Sequence, residues 1–576
     1  MSFPKMSSGN ALGGFPMREH TYARSILFST FMCLLLLWMV ACGGPNPNPQ
    51  SNAPAAPPDK QVLRLPIGAA DFSSLDPAVS DAATDFTAVS LIFPGLVRLN
   101  SDNSVALDLA ASYKVSPDGL SYTFTLHPNL TFSDGAPLTA TDVAYSINRT
   151  LAPATASPTA SFLSAIKDFL PRLNGKIPTL IGDSLIVNDS QTITIVLGAP
   201  APYFLQELAG LNTHVVKKAL IDKYGTSWTE HLTEGAGAGI FKVASYSHSQ
   251  GMVLVPNPAY YGAKARLQKL EFLPSGDPAT VYKEYLAGQI DDAGIPLTDL
   301  ASARSRKDYH HAPALSIGFL EINFLTRPFD NVHIRQAFAL AIDKNVLAST
   351  VLHGAYTPTN HLLPQGMPGY NQQLTGPAGV SSTVGDKTKA QQLLQQGLQE
   401  AGYSSVSALP AITLTVANAG QDLQNEAEAI VQQWQNALGI TVQLKTEDTP
   451  TFISRDLPAT LGHAGPLQIW LLGYTYLADP FFWLNTFFGA GGSLNDTNYG
   501  QTPAQKAVQQ ELAAAATNGN PQQRMQQYND AEQKIVNDVA WIPLVQGGID
   551  VLINPKVQNL AANGPTKTWS DIYISV

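Results

Sequence analysis

The chain has 576 residues, of which 44% are hydrophobic and 14% charged, and its formal net charge is −10. That composition belongs to a folded globular protein, at about 150 residues per domain roughly three or four domains' worth, and not to a disordered chain. The acidic balance gives no electrostatic footprint for nucleic acid or anionic lipid heads, so nucleic acid is set aside as a partner.

Near the N-terminus, Arg18 and Arg24 precede Ile26 to Ala41, an apolar run broken only by Ser29 and Thr30. The run is shorter than the roughly 20 residues that span a bilayer and has the length of a secretion-signal core. It ends in Met39-Val40-Ala41-Cys42-Gly43, which resembles a bacterial lipobox, with Met39 where Leu is usual. An uncleaved membrane anchor is the competing reading, and both place the bulk of the chain outside the cytoplasm. The only cysteines are Cys33, inside the run, and Cys42. Cleavage before Cys42 leaves a body with no thiol for a disulfide, a catalytic thiolate or a thiolate metal site. We therefore expect residues 1–41 to be a signal peptide and Cys42 the lipidation point. Residues 42–59, rich in Pro, Asn and Ala, are expected to form an extended tether. The first 41 residues hold Lys5, Arg18, Arg24 and Glu19, so the remainder carries 31 basic and 43 acidic side chains and a charge near −12.

Folded structure is expected from about Lys60, where Val62, Leu65 and Ile67 suggest a first strand. Pro117-Asp118-Gly119 is a turn, and Tyr122, Phe124 and Leu126 then recur at period two, a half-buried strand. Asp134-Gly135 turns the chain again. Thr139 and Asp142 have the spacing of a capping box, with Asp in place of Glu or Gln, at the head of a helix through Arg149. Gly235-Ala236-Gly237-Ala238-Gly239 lacks the following Lys-Ser/Thr of a phosphate loop and reads as a turn before a Phe241-Lys242-Val243 strand. Asp386 caps a helix through Leu393, Leu394 and Leu398 to Gly402. Glu426 to Leu438 places Ile430, Trp434 and Leu438 on one stripe; Gly439 ends that helix, and Ile440, Val442 and Leu444 alternate as a strand. No repeat of fixed period is present. The pattern is mixed α/β.

Several segments resemble one family in its own order. They are Ser74-Leu75-Asp76-Pro77, Gly95-Leu96-Val97, and the stretch from Leu107 through Ser116-Pro117-Asp118-Gly119 to Phe132-Ser133-Asp134-Gly135 and Asp142-Val143. Asn257-Pro258-Ala259-Tyr260-Tyr261-Gly262, Glu321-Ile322-Asn323, Pro328 to Val332, Arg335 to Asp343, and Glu400-Ala401-Gly402-Tyr403 follow. Together they resemble the oligopeptide/dipeptide-binding family of ABC-importer receptors, over nearly everything from residue 62 onward. The resemblance implies an α/β periplasmic-binding-protein type II fold with two lobes, a hinge and an inserted third domain. By matching segments, lobe I is expected at 60–99, 209–312 and 541–576, the inserted domain at 100–208 and lobe II at 313–540.

The resemblance also implies a site. The loop after Leu-Asp-Pro, here Asp81, Ala82 and Ala83, is expected to line the cleft. The family's Gly-Trp strand reads Gly473-Tyr474-Thr475-Tyr476-Leu477-Ala478-Asp479-Pro480 here, and the backbone of Gly473, Tyr474 and Thr475 is expected to add the ligand as an extra strand. Peptide receptors carry an aspartate midway that pairs with the ligand's α-ammonium; this chain has Tyr476 and Leu477 there and is one residue shorter. Either Asp479 takes that role, or the ligand's amine is absent, blocked or held differently. Tyr474, Tyr476, Phe481, Phe482 and Trp483 are candidates for stacking on an apolar or sugar-like ligand, and about half of them are expected to be core. Asp134, Asp142, Arg335 and Asp343 are expected to be architectural.

Enzymatic readings have little behind them. His310-His311 is the only adjacent histidine pair, and neighbours on a strand point to opposite faces. There is no His-Glu-x-x-His and no Gly-x-Ser-x-Gly. The expectation is a monomeric binding protein, not an enzyme, with no cofactor or metal. It would sit on the outer face of the cytoplasmic membrane or in the periplasm, tethered by a lipid anchor, and hand a peptide or peptide-like ligand to an ABC permease with cytoplasmic ATPases. The alternatives are a receptor for a non-peptide solute, such as a metal chelate or oligosaccharide, and a lipid-anchored sensory co-receptor.

Overall fold

The computed structural model describes residues 53–68, 71–80, 82–566 and 568–576. The expected signal peptide, Cys42 and Asp81 lie outside the described residues. The end of the expected tether, residues 53–59, is not a free spacer. Ala56 N donates to Ile574 O at 2.8 Å, the Tyr573 hydroxyl donates to Ala53 O at 2.8 Å, and the Gln61 amide bridges Ala56 O and Ile574 O. A proline-rich stretch has no side-chain periodicity to reveal this, because its backbone groups do the anchoring.

Strand β1 (Val62–Gly68) buries Leu63, Leu65 and Ile67 on one face, as a period-two strand does. Helix α1 (Ala83–Ile92) follows. Next comes an antiparallel block of β2 (Ala110–Val115), β3 (Ser121–Leu126), β4 (Leu185–Val187) and β5 (Thr192–Val196), ordered β2-β3-β5-β4. Helix α2 (Ala140–Thr150) packs on β4 and β5. It starts with the capping box expected from Thr139 and Asp142, the Thr139 N–H donating to Asp142 Oδ2 at 2.8 Å. Short helix α3 (Phe204–Leu208) closes the block.

Three strands, β6 (Phe241–Ser247), β7 (Gly251–Pro256) and β8 (Lys269–Pro274), then join β1 in the order β1-β8-β7-β6, with β1 and β8 parallel. The glycine-rich turn before β6 is set by close packing. A Cβ on Gly237 or Gly239 would lie 2.0 Å from Ile92 O or 2.1 Å from Leu91 O, so only glycine lets this turn rest on the end of α1.

The largest sheet has seven strands: β9 (Asp292–Gly294), β10 (Tyr309–Ile322), β11 (Thr357–Pro358), β12 (Ile412–Ala417), β13 (Val442–Glu447), β14 (Ile469–Thr475) and β15 (Trp541–Ile553). Its order is β9-β15-β10-β14-β12-β13, with β11 also on β15. One face carries α4 (Val332–Leu340), α5 (Lys387–Ala401) and α6 (Gln421–Leu438) around Phe338, Leu394, Ile430 and Trp434. The other face carries α7 (Pro503–Thr517) and α8 (Pro521–Asp538), and its core of Phe319, Trp541, Leu512 and Tyr528 runs on into the β2–β5 block through Phe124 and Phe204.

Helix α4 stops at Leu340, so the run to Asp343 is not one helix; Asp343 instead caps the next turn through Asn345 N and Val346 N. Arg335 is buried and donates to Asp538 Oδ1 at 2.6 Å, Asp538 O at 2.9 Å and Phe329 O at 2.8 Å. Asp134 pairs with Lys217. All four signature side chains therefore hold secondary structure together.

Candidate ligand-binding site

Strand β14 pairs antiparallel with β10 along its whole length, from Ile469 opposite Ile322 to Thr475 opposite Ser316. On its other side β12 pairs with it only at Ile469 and Trp470. From Leu471 to Thr475 that edge has no strand partner among the described residues, so its outward backbone donors and acceptors lack a ladder partner. Gly473 and Thr475 are exposed, while Leu472 and Tyr474 are half-buried. A Cβ on Gly473 would make only ordinary contacts, 3.4 Å to Ile317 O, so its lack of a side chain is not needed for packing. It leaves a flat stretch of backbone open to approach.

Aromatic rings wall this edge. Tyr474 lies 4.9 Å from Phe487 and 5.9 Å from Phe319 between ring centroids. Tyr476 meets Phe487 at 5.7 Å, Trp483 at 6.2 Å and, from the β2–β5 block, Phe162 edge-on at 5.7 Å. Burial pushes the Tyr476 hydroxyl up to about 12, and the Tyr474 hydroxyl is pushed up by burial and by Glu321 and Asp496. Behind them, Glu321 accepts from Trp470 Nε1 at 2.6 Å and Trp541 Nε1 at 2.8 Å, and burial raises its pKa well above the carboxylate range. Phe482 and Trp483 are core, and Phe481 stacks on Tyr203 at 3.6 Å.

Asp479 is buried and fully engaged. Its Oδ2 accepts from Arg524 Nη1 at 2.8 Å, and its Oδ1 accepts from Arg524 Nη2 at 2.5 Å and from Phe481 N at 2.9 Å. Glu207, one helical turn after Tyr203, lies within the electrostatic reach of this pair. Glu207 is 1% exposed, and neither carboxylate oxygen makes a well-formed hydrogen bond. Burial, and then the neighbouring Asp479, raise its pKa well above normal against the pull of the Ala165 backbone N–H.

The Leu-Asp-Pro loop is held by its own acids. Asp76 accepts from both Arg149 Nη atoms, from Trp228 Nε1 at 3.1 Å and from Ala78 N at 3.0 Å. Asp85 accepts from Ser73 N, Ser74 N and the Ser80 hydroxyl. Ala82 is the extended residue that starts α1, and Ala83 is the helix's first residue. Among the described residues no hydrogen bond joins Ala82 to the 473–476 segment. Phe162 and Tyr203 are what meet that side, and sequence reading did not find them, because a lone aromatic between turns carries no periodic signal. The Tyr203–Glu207 spacing of one helical turn was the only trace of Glu207.

Two long strands, β10 and β15, connect this region to β9, and their pairing is interrupted. Pro313 faces Gly548 and Ile317 faces Gln546, so Ala314, Leu315 and Ser316 bulge opposite Gly547 alone. A Cβ on Gly547 would lie 2.1 Å from Ser316 Oγ. Beside the bulge is a cavity of about 780 Å³ lined by residues that include His311, Thr357, Gln365, Met367, Tyr370 and Gln372. No cluster of metal-ligating side chains occurs among the described residues, and none of their helices is long and apolar enough to cross a membrane.

Residues 104–495 match the family model described as bacterial extracellular solute-binding proteins, family 5 Middle. The oligopeptide-binding protein OppA of Bacillus subtilis is 27% identical over 525 residues, spanning 89% of this chain and 93% of the relative. YgiS of Escherichia coli, named as a probable deoxycholate-binding periplasmic protein, is 28% identical over 429 residues, spanning 73% of this chain and 77% of that relative. The unliganded open form of MppA, a periplasmic murein tripeptide binding protein, superposes with a TM-score of 0.75 at 25% identity, over 91% of this chain and 99% of that one. The architecture is accordingly the periplasmic-binding-protein type II fold, with two lobes, a hinge and an inserted domain.

Proposed function

The chain belongs to the bacterial extracellular solute-binding proteins of family 5, and from that premise we propose that it encloses a peptide or peptide-like solute between its lobes and delivers it to an ABC permease. The observation that carries this reading is the open edge of β14 from Leu471 to Thr475. A peptide laid there as an extra strand gains main-chain hydrogen bonds whatever its sequence. In this reading Gly473, Tyr474 and Thr475 supply backbone groups, Tyr476 supplies a ring face, and Asp81, Ala82 and Ala83 approach from the opposite lobe. Asp479 orders the segment after the strand.

We assign lobe I to 60–99, 209–312 and 547–576, the inserted domain to 100–208 and lobe II to 313–546, with the β10–β15 bulge as the hinge; the boundary expected at 541 moves because Trp541–Gln546 pair with Ile317–Glu321 of lobe II. Closure is driven by the contacts a ligand makes only in the closed state. Lipidated Cys42 holds the monomer at the outer face of the membrane, and the chain catalyses no reaction.

One observation favours a second reading of the ligand. Asp479, the acid that follows the open edge in the chain, already spends both oxygens on Arg524, and rings wall the strand. An N-blocked peptide or an apolar solute suits such a surface better than a free ammonium. The deoxycholate-binding name carried by YgiS is in keeping with that choice.

Native mass spectrometry of the purified chain, followed by denaturation, tests both readings. A ladder of released peptide masses supports the first, and a single non-peptide mass supports the second. An empty chain that no peptide stabilises in a thermal-shift screen overturns the first.

A further inference from the structure

Glu207 sits at a junction between two parts of the molecule and takes no part in the ligand reading above. On one side is the β2–β5 block, which carries it on α3. On the other is lobe II, whose Phe481 ring stacks on Tyr203 at 3.6 Å while Phe482 meets Tyr203 edge-on at 5.6 Å. Tyr203 precedes Glu207 by one helical turn, and both are buried. Phe204, the next residue, meets Tyr122 in the block's own sheet at 4.9 Å. The same junction brings Phe162 of the block onto Tyr476 of lobe II at 5.7 Å.

The surroundings of the carboxyl give it no counter-ion. Neither oxygen makes a well-formed hydrogen bond. The charge of lobe II that reaches it is another acid, Asp479, and Arg524 is committed to that acid through both terminal nitrogens. Tyr203 and Tyr122 bring hydroxyls and no charge, and Tyr528 lies on the far side of Tyr203. Of the segments packed on α3, Ala160–Leu163 has no titratable side chain, and in Val97–Leu99 Arg98 is bonded to Asn100 Oδ1 at 2.6 Å. Ala165 offers only a backbone N–H, and Lys167 beyond it pairs with Asp183 at 2.9 Å. A carboxylate here is a buried charge beside a like charge, whereas a carboxylic acid is neutral and far less costly to bury.

We propose that Glu207 is a proton-operated latch: its neutral acid lets the β2–β5 block rest on lobe II, and its ionisation releases the two. Parting the Tyr203–Phe481 stack admits water to a carboxyl that, once hydrated, ionises near pH 4.3. Contact and bound proton therefore favour each other. The contact is at full strength below about pH 4.3, weakens about tenfold per pH unit above it, and has lost this support once pH passes the raised pKa. Release also lifts Phe162 from Tyr476 and so uncovers the ring beside the open edge of β14. That last consequence rests on the peptide reading; the latch itself does not.

Hydrogen exchange on the full chain without ligand tests the latch, with rates corrected for the intrinsic effect of pH. Protection of residues 204–208 and 481–484 is expected to fall together by at least tenfold between pH 5.5 and pH 8.5 in the parent, and by less than threefold in Glu207→Gln. Protection of residues 427–438 in α6, on the opposite face of the largest sheet, is expected to stay constant and shows that a variant is folded. Phe481→Ala removes the stack itself and is expected to lower protection of 204–208 at pH 5.5 to the level the parent reaches at pH 8.5. Protection in the parent that does not change with pH, or a fall that persists in Glu207→Gln, overturns the latch. Should Glu207→Gln lose its α6 protection, Phe481→Ala decides, and unchanged protection of 204–208 in that variant overturns the latch. Either failure leaves the open edge of β14, and the peptide reading built on it, standing.

Discussion

Arg524 grips Asp479 with both terminal nitrogens, at 2.8 and 2.5 Å, in a pair that is almost wholly buried. The guanidinium also lies over the Tyr528 ring at 5.0 Å, so α8 and the segment after β14 are locked at one point. The pair has two consequences, one for stability and one for ligand choice.

Removing the arginine leaves an uncompensated buried charge. Arg524→Met is expected to lower unfolding stability by about 3–5 kcal/mol in urea titrations, and Arg524→Met with Asp479→Leu to recover most of it. A single-variant loss below about 1 kcal/mol would show that the pair is solvated and not structural.

Because Asp479 is occupied, a ligand ammonium finds no free acid there. Free and N-acetylated tripeptides are expected to bind within threefold of each other by calorimetry. A hundredfold preference for the free amine, abolished in Asp479→Asn, would show that Arg524 yields its partner when ligand arrives.

Glu207 gives a pH dependence of definite sign. Its folded pKa is raised by burial and by Asp479, so above the ordinary glutamate pKa of about 4.3 the folded chain holds a proton that the unfolded chain has lost. Stability from this group is fully present below that value and declines as pH rises through the raised one. Tyr203, Tyr122 and the Asp479–Arg524 pair also face it, and Glu207→Gln leaves them in place. The melting temperature is expected to fall more between pH 5 and pH 8 in the parent than in Glu207→Gln, and the variant to be the more stable at pH 8. Parallel melting curves would show that the carboxylate is hydrated.

The hinge bulge closes over a glycine that has no room for a side chain. Gly547→Ala is expected to cost about 1–3 kcal/mol by overpacking against Ser316 Oγ, and adding Ser316→Ala to restore most of that loss. No rescue would mean that the strain lies in the backbone.

Much of the fold was legible because it is local. The Thr139–Asp142 box, the Asp386 cap with Gly402 at its far end, and the Ile430–Trp434–Leu438 stripe are each written within one helix, and each formed as read. The site was less so. That β14 lacks a partner beyond Trp470 follows from where β12 parts from it, after Thr415, while still pairing with β13 to Ala417, a fact of register between strands about 55 residues apart. That Asp479 is bound by Arg524, 45 positions away, has no counterpart in the motif around it. Phe162 and Tyr203 meet Tyr476 and Phe481, just past the strand, only because the β2–β5 block is carried there. Family likeness named the strand, while its occupancy and electrostatics needed coordinates.

The largest sheet is completed by its last-made strand. β15 lies inside it, flanked by β10 on one side and by β9 and β11 on the other, and Trp541 is bonded to Glu321 across 220 positions of chain. Such distant pairing forms slowly. A chain emerging from its N-terminus therefore cannot finish this sheet until Trp541–Ile553 has appeared, some 220 positions after Glu321, so β10 waits for its partner while everything between is made. A chain cut before Trp541 would lose an inner strand and not merely a tail.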